Sequence, residues 1–101
     1  MKKYPVIFDL DAKIDMIKLE SYISNKLKAP DTASNYIKGL TTSINKLAFY
    51  ADSIAVSQSA YIQFLCGEGV RRVNYKKMAI LYVIYEDFVH IKRVIPGSLI
   101  R

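Results

Sequence analysis

The chain has 101 residues, 51% of them hydrophobic, with 15 Lys and Arg against 9 Asp and Glu, giving a formal net charge of +6. This length sets a single domain over residues 1–101 with one modest core, and only 4 Gly and 3 Pro argue against a disordered chain. The positive balance points to an acidic partner: nucleic acid, an acidic protein segment or, less well, a membrane surface.

At the N-terminus, MKKYPVIFDLDAKID carries basic residues but meets acids at once and has no apolar stretch of the length a signal peptide needs. No apolar run approaches the ~18 residues that span a bilayer. A cytoplasmic chain without a membrane anchor is expected. Tyr4 to Phe8, YPVIF, reads as a short strand that Pro5 confines to a sheet edge or a strand start. Asp9 or Asp11 is placed to cap the helix that follows. Ala12, Met16, Leu19, Ile23 and Leu27 then make one helical stripe. KAPDTA breaks the chain and restarts it, with Pro30 suited to a first turn and Asp31 to the positive end of a helix. Ala33, Ile37, Leu40, Ile44 and Leu47 make a second stripe, so the two helices read as an antiparallel hairpin whose stripes are core.

Residues 52–69 mix β-branched and small polar side chains and carry the weakest pattern: a helix end, a loop, and a short strand or turn before Gly67 and Gly69. From Val70 the period becomes two. Val70 to Tyr75 reads as a strand with Arg71 and Arg72 on opposite faces. Met78 to Tyr85 is apolar on both faces, as a central strand is. Glu86 and Asp87 read as a tight hairpin turn, and Phe88 to Ile95 as a last strand stopped by Pro96-Gly97. The predicted order is β-α-α-β-β-β: an α+β fold with a helical hairpin on one face of a small antiparallel sheet.

The chemistry-bearing side chains are few. Cys66 is the only cysteine, so no internal disulfide forms; its neighbours Phe64 and Leu65 make it a buried structural thiol rather than a nucleophile. No metal or cofactor is expected. His90, the only histidine, lies between Val89 and Ile91 and is expected, with Lys92, on the sheet face away from the helices or facing solvent. Arg71, Arg72, Lys76 and Lys77 form a cluster with no acid among them. One arginine is expected to pair with helix carboxylates such as Asp15 or Glu20, or with the chain's own carbonyls. The other is left for a target. Lys76 and Lys77 fall at a turn, with Tyr75, Tyr82 and Tyr85 interleaved as packing residues.

A strand, a helical hairpin broken at LKAPDTA, and then VRRVNYKKMAILYVIYEDFVHIKRVIPG resemble the RelE/ParE superfamily of toxins from type II toxin–antitoxin modules. The resemblance runs from Tyr4 to Gly97 and rests on the order and spacing of RRVNY, the apolar strand through Tyr82, and VHIKRV. It implies one of two targets. RelE-like members enter the ribosome and cut messenger RNA without metal; ParE-like members poison DNA gyrase. Both kinds are neutralised by an antitoxin whose extended segment wraps the toxin.

Cleavage through a 2′-hydroxyl needs a base, an acid and cations around the charged transition state. The resemblance implies a Glu or Lys base, strand arginines and a late His or Tyr. Here Pro96 stands at the position of the late His, and Ala79, beside Met78, where an arginine is frequent. Proline transfers no proton. The resemblance therefore favours a ParE-like binding toxin over a RelE-like nuclease, whose catalytic set would be Arg71, Arg72, His90 and Arg93. A family member that has lost toxicity and survives as a binder is the third reading. The surface expected to meet a gyrase-like target or an acidic antitoxin is Arg71, Arg72, Lys76, Lys77, Lys92 and Arg93, with strand addition at Phe88 to Ile95 or, instead, an antitoxin helix against the helical hairpin.

Overall fold

The period-two segments pair into one four-stranded sheet in the computed structural model, which describes residues 3–100. The strands are β1 (Val6–Phe8), β2 (Arg71–Tyr75), β3 (Met78–Tyr85) and β4 (Phe88–Pro96), in the order β1-β4-β3-β2. β2, β3 and β4 are antiparallel to their neighbours, whereas β1 lies parallel to β4, so the sheet is mixed rather than purely antiparallel. Parallel neighbours need a long crossover, and the helices between β1 and β2 supply it. β4 is interior, between β1 and β3, and not the free edge expected of it; the open edge belongs to β2.

Helix α1 (Leu10–Ser21) continues into a π-helical turn, Tyr22–Lys26, and the chain then reverses. Lys28 takes a left-handed φ of 52°, and Pro30 opens α2 (Pro30–Asn45) at its first turn. The predicted stripes face inward, with Ala12, Ile23, Ala33, Leu40, Ile44 and Leu47 buried, although Leu27 at the end of the first stripe is exposed. These helices pack on the sheet face that carries Ile80, Tyr82, Val89, Ile91 and Val94. The short helix α3 (Leu47–Tyr50) and a 3-10 turn, Ala51–Ser53, extend α2.

The weakly patterned stretch 52–69 holds an isolated bridge, Val56 to Arg71, and a further helix, α4 (Ala60–Cys66). Ser59 caps α4 by accepting from the Ile62 amide at 3.3 Å, and Gly67 stops it at φ 97°. α4 covers part of the other sheet face, where Ile62, Val70, Ala79, Leu81 and Ile95 form a second cluster. The fold is thus α+β as expected, with a smaller layer added on the second face.

The β3–β4 hairpin turns at Glu86 and Asp87, with φ of 53° and 66°. Left-handed conformation at both central residues is the mark of a two-residue type I′ turn, whose twist matches that of the strands. Along β4 the register slips once: Leu81 lies opposite Arg93 and Tyr82 opposite Ile91, so Lys92 has no opposite residue. The extra residue reverses the alternation beyond it. Val94 thereby faces the helices and Ile95 the α4 side.

Tyr82 sits at the centre of the sheet, fully buried, and donates its hydroxyl to the Ala51 carbonyl at 2.7 Å. Burial pushes its phenol up to about 12, against the opposite pull of Arg71, so it stays protonated and donating at ordinary pH.

Gly39 on α2 admits the ring of Tyr75, and a Cβ there would collide with the Tyr75 hydroxyl. The ring cannot withdraw freely, because Tyr36 meets it edge-on at 5.4 Å and Lys76 lies over it. Gly39→Ala is expected to destabilise the chain by about 1–2 kcal/mol, overpacking outweighing the gain in helix propensity. In a Tyr75→Ala background the same change should instead stabilise, by about 0.5–1 kcal/mol. Urea denaturation of the four variants checks this reversal of sign.

Candidate functional site

Six cations were expected to meet a target or an antitoxin, and the fold divides them into two groups. Three are engaged within the chain. Arg71 lies on the helix side of β2 and donates through one terminal nitrogen to the carbonyls of Ile54, at 2.5 Å, and Asp52, at 3.1 Å. It fastens the segment after α3 to the sheet; neither Asp15 nor Glu20 is its partner. Arg93 grips Asp15 with two bonds, Nε to Oδ2 at 2.7 Å and a terminal nitrogen to Oδ1 at 3.0 Å. The same Oδ2 accepts from the Val94 amide at 2.9 Å. The bond to Asp15 holds the Arg93 guanidinium in its charged form, outweighing burial. Lys92 meets Asp9 at 3.0 Å.

Asp9 does occupy the N-cap position of α1, but its side chain makes no capping bond. It serves β4 instead, meeting Lys92 and standing 3.9 Å from His90 Nδ1. The His90 ring is packed edge-on against Tyr85 and Phe88, with centroids 6.0 and 6.3 Å away. With Lys92 it lines a shallow groove beside Cys66, Gly69 and Val83, on the α4 side, as the strand alternation predicted. Cys66 is half-buried rather than fully buried. Burial pushes its thiol up, outweighing the opposite pull of Arg93 and Lys92, so it is not activated as a nucleophile. Among the described residues no group of three His, Cys, Asp or Glu side chains could hold a metal ion, and no helix is long and apolar enough to cross a membrane.

The other three cations lie on β2 and at its turn into β3. Arg72, Lys76 and Lys77 line one groove of about 370 Å³ with Asn74, Pro96, Gly97 and Ser98. Arg72 donates Nε to Asn74 Oδ1 at 3.0 Å, two residues along the same strand face. A Cβ on Gly97 would lie 3.1 Å from a terminal nitrogen of Arg72, so the missing side chain leaves the guanidinium room against the backbone. The Gly97 amide bonds the Lys77 carbonyl at 2.8 Å, joining the β2–β3 turn to the end of β4 as the groove floor. Lys76 reaches over Tyr36 and Tyr75 at 5.4 and 5.5 Å from their centroids. The wall holds no carboxylate, imidazole or phenol. It can bind an anion, and apart from Arg72 its ionisable side chains are the two lysines.

The residues of the nuclease alternative are not assembled. Arg71 lies on the opposite face from Arg72, and Arg93 and His90 each stand against a carboxylate. Pro96, the residue at the late-His position, is in the groove itself.

The outer edge of β2 adjoins this groove. The two-residue turn pairs Tyr75 with Met78, and alternation from there directs the backbone groups of Val73 and Tyr75 to β3 and those of Arg72 and Asn74 outward. Val70, in the same phase, gives its carbonyl outward to the Ser57 amide at 2.8 Å. With the bridge of Val56 to Arg71 this bond covers the start of the edge, and among the described residues no strand pairs with it beyond. Asp9, Asp15, Asn74 and Gly97 were not singled out from sequence as site residues. The signals for Asn74 are its place in RRVNY, on which the resemblance rests, and its two-residue spacing from Arg72.

Asp15→Ala is expected to cost about 2 kcal/mol, because it leaves a partly buried guanidinium and a strand amide without their acceptor. Lys92→Ala should cost less than about 0.5 kcal/mol, its partner being far more exposed. Denaturation midpoints of the two variants give the comparison.

No family model and no curated protein matches this sequence. Solved structures do match. A chain of the chromosomal ParDE TA system from P. aeruginosa superposes with a TM-score of 0.78 at 14% identity, over 93% of this chain and 96% of that one. A chain of the toxin-antitoxin complex RelBE2 from Mycobacterium tuberculosis superposes with a TM-score of 0.60 at 18% identity, over 93% and 98%. At such identities the likeness is one of fold, and the chain has the RelE/ParE-like fold, nearer to the ParDE chain than to the RelBE2 chain.

Proposed function

We propose that this chain is the toxin of a type II toxin–antitoxin module, that it acts in ParE-like fashion by stoichiometric binding to a target such as DNA gyrase, and that an acidic antitoxin neutralises it. The observation that carries the reading is the groove of Arg72, Lys76 and Lys77, which is cationic and offers no carboxylate, imidazole or phenol to act as the acid partner of a lysine base. A binding toxin needs affinity for an anionic or acidic surface; a nuclease needs an acid and a base as well. The fold likeness supports a toxin of the RelE/ParE kind and favours its ParDE side.

One observation favours the RelE-like alternative, ribosome-dependent cleavage of messenger RNA: His90 stands beside Asp9, an imidazole next to a carboxylate. Against it, Lys92 shares that carboxylate at a shorter distance. Induced alone, the chain should stop growth with filamentation and a DNA-damage response while messenger RNA stays intact. His90→Ala should remain as toxic, whereas loss of an acid–base group would slow cleavage by ~10²–10⁴-fold. Codon-positioned cleavage of messenger RNA, abolished in His90→Ala, would overturn the binding reading.

The antitoxin segment is assigned to the outer edge of β2 rather than to β4. An added strand there, following the bridge of Val56 to Arg71, would bond the outward groups of Asn74, and its acidic side chains at alternate positions would face the groove. Arg72→Glu with Lys77→Glu should slow association with the antitoxin and flatten its dependence on salt. Arg71→Glu should instead lower stability. Stopped-flow association at several ionic strengths, beside denaturation of each variant, separates the two effects.

A further inference from the structure

Helix α1 is apolar on two opposite faces. Its inner face carries Ala12, Met16 and Leu19 into the main core. About 180° round the helix, Leu10, Ile14, Ile17 and Ser21 follow one another at spacings of four, three and four. Leu10 and Ile17 are 70% and 67% exposed, and Ile14 is 38% exposed. This is the seam spacing by which helices pack side by side in a coiled coil. It is flanked on one side by Asp11 and Lys18, and on the other by Lys13 and Glu20. All four are exposed, and none makes an ion pair with another described residue.

We infer that α1 is a self-association surface, on which α1 of a second copy of this chain packs antiparallel. The flanking charges decide between occupants and orientations. In an antiparallel pair Leu10 lies level with Ser21 of the second copy, and Ile14 with its Ile17. Each flank then meets the same flank of the other copy. Asp11 faces Lys18 on one side and Lys13 faces Glu20 on the other, and the two-fold axis repeats both pairs. A parallel pair would set Lys13 against Lys18 on both sides and repel. The seam is thus self-complementary in one orientation only, as a two-fold interface requires. A single pair of 12-residue helices is a small interface, so the dimer is expected to be weak, in the micromolar range. The surface is separate from the groove of Arg72 and from the β2 edge, and does not rest on the proposed toxin role.

Sedimentation equilibrium of the purified chain across the micromolar range should show its 11.5 kDa mass doubling with concentration. Glu20→Lys sets Lys13 against a lysine and should weaken the dimer at least about tenfold. It leaves the helix itself sound, since a cation suits the last turn. Lys13→Glu combined with Glu20→Lys should regain the dimer to within about threefold. Orientation is read from disulfides in a Cys66→Ser background. Leu10→Cys and Ser21→Cys chains should cross-link when mixed and not when oxidised separately. A chain that stays monomeric throughout, an affinity unmoved by Glu20→Lys, or cross-linking of each cysteine variant with itself would overturn the inference. The first of these outcomes would leave the seam to a different protein, the antitoxin included.

Discussion

A carboxylate stands where a longer first strand would otherwise lie. β1 pairs with only Val89 to Ile91 of β4, and beyond Ile91 the margin of β4 would be bare. The Asp9 amide takes the Ile91 carbonyl at 3.0 Å, and one turn and a half later Asp15 takes the Val94 amide and the Arg93 guanidinium. The start of α1 is thereby laid along the strand as a substitute edge. Buried or half-buried backbone donors must be satisfied somewhere, and here a helix side chain does it instead of a ladder. The bulge at Lys92 belongs to the same arrangement. Were Lys92 paired in regular alternation instead of bulged, Val94 would leave the core and Ile95 would enter it.

This clamp also determines which charges remain for binding. The net charge of +6 suggested a broadly cationic surface, and the six cations near the sheet looked equivalent in sequence. The fold makes them unequal. Asp9 and Asp15 neutralise the β4 margin, Arg71 is spent on carbonyls inside the molecule, and of the six only Arg72, Lys76 and Lys77 are left to line the groove. Neutral Asn74 fixes the arginine among them, and charges gathered on one side of a protein steer an acidic partner better than the same charges dispersed.

How much was legible follows from the range of the interactions. The stripes of α1 and α2, the apolar run of β3 and the Glu86–Asp87 turn are local patterns legible in the sequence, save that the first stripe runs one residue too far, to the exposed Leu27. α4 was not recognised, because its seven residues carry less than two full turns of pattern and its limits rest on Ser59 and Gly67 alone. The strand order was illegible for a different reason. Nothing between Val6 and Phe8 tells a strand to lie parallel to β4; that follows from the crossover of two helices and from Asp15, separated from Val94 by 79 residues. The fate of the arginines was only half legible. Alternation told Arg71 from Arg72, but which of them would find carbonyls depended on where the segment after α3 passes.

The two apolar faces of α1 follow from the clamp as well. A helix held along the margin of a sheet by its polar residues Asp9 and Asp15 presents one side to the core and, being at the margin, has nothing beyond it to cover the other. A solvated helix in that position would carry charged residues along its outer side. This one carries Leu10, Ile14 and Ile17 there, and keeps Asp11, Lys13, Lys18 and Glu20 to the flanks. Exposed apolar side chains scattered singly mean little, but three in register with ordered charges on both sides form a pattern that folding alone does not require. The same strand margin that removes Lys92 and Arg93 from the proposed binding surface thus sets a second surface facing outward, apolar where the first is cationic.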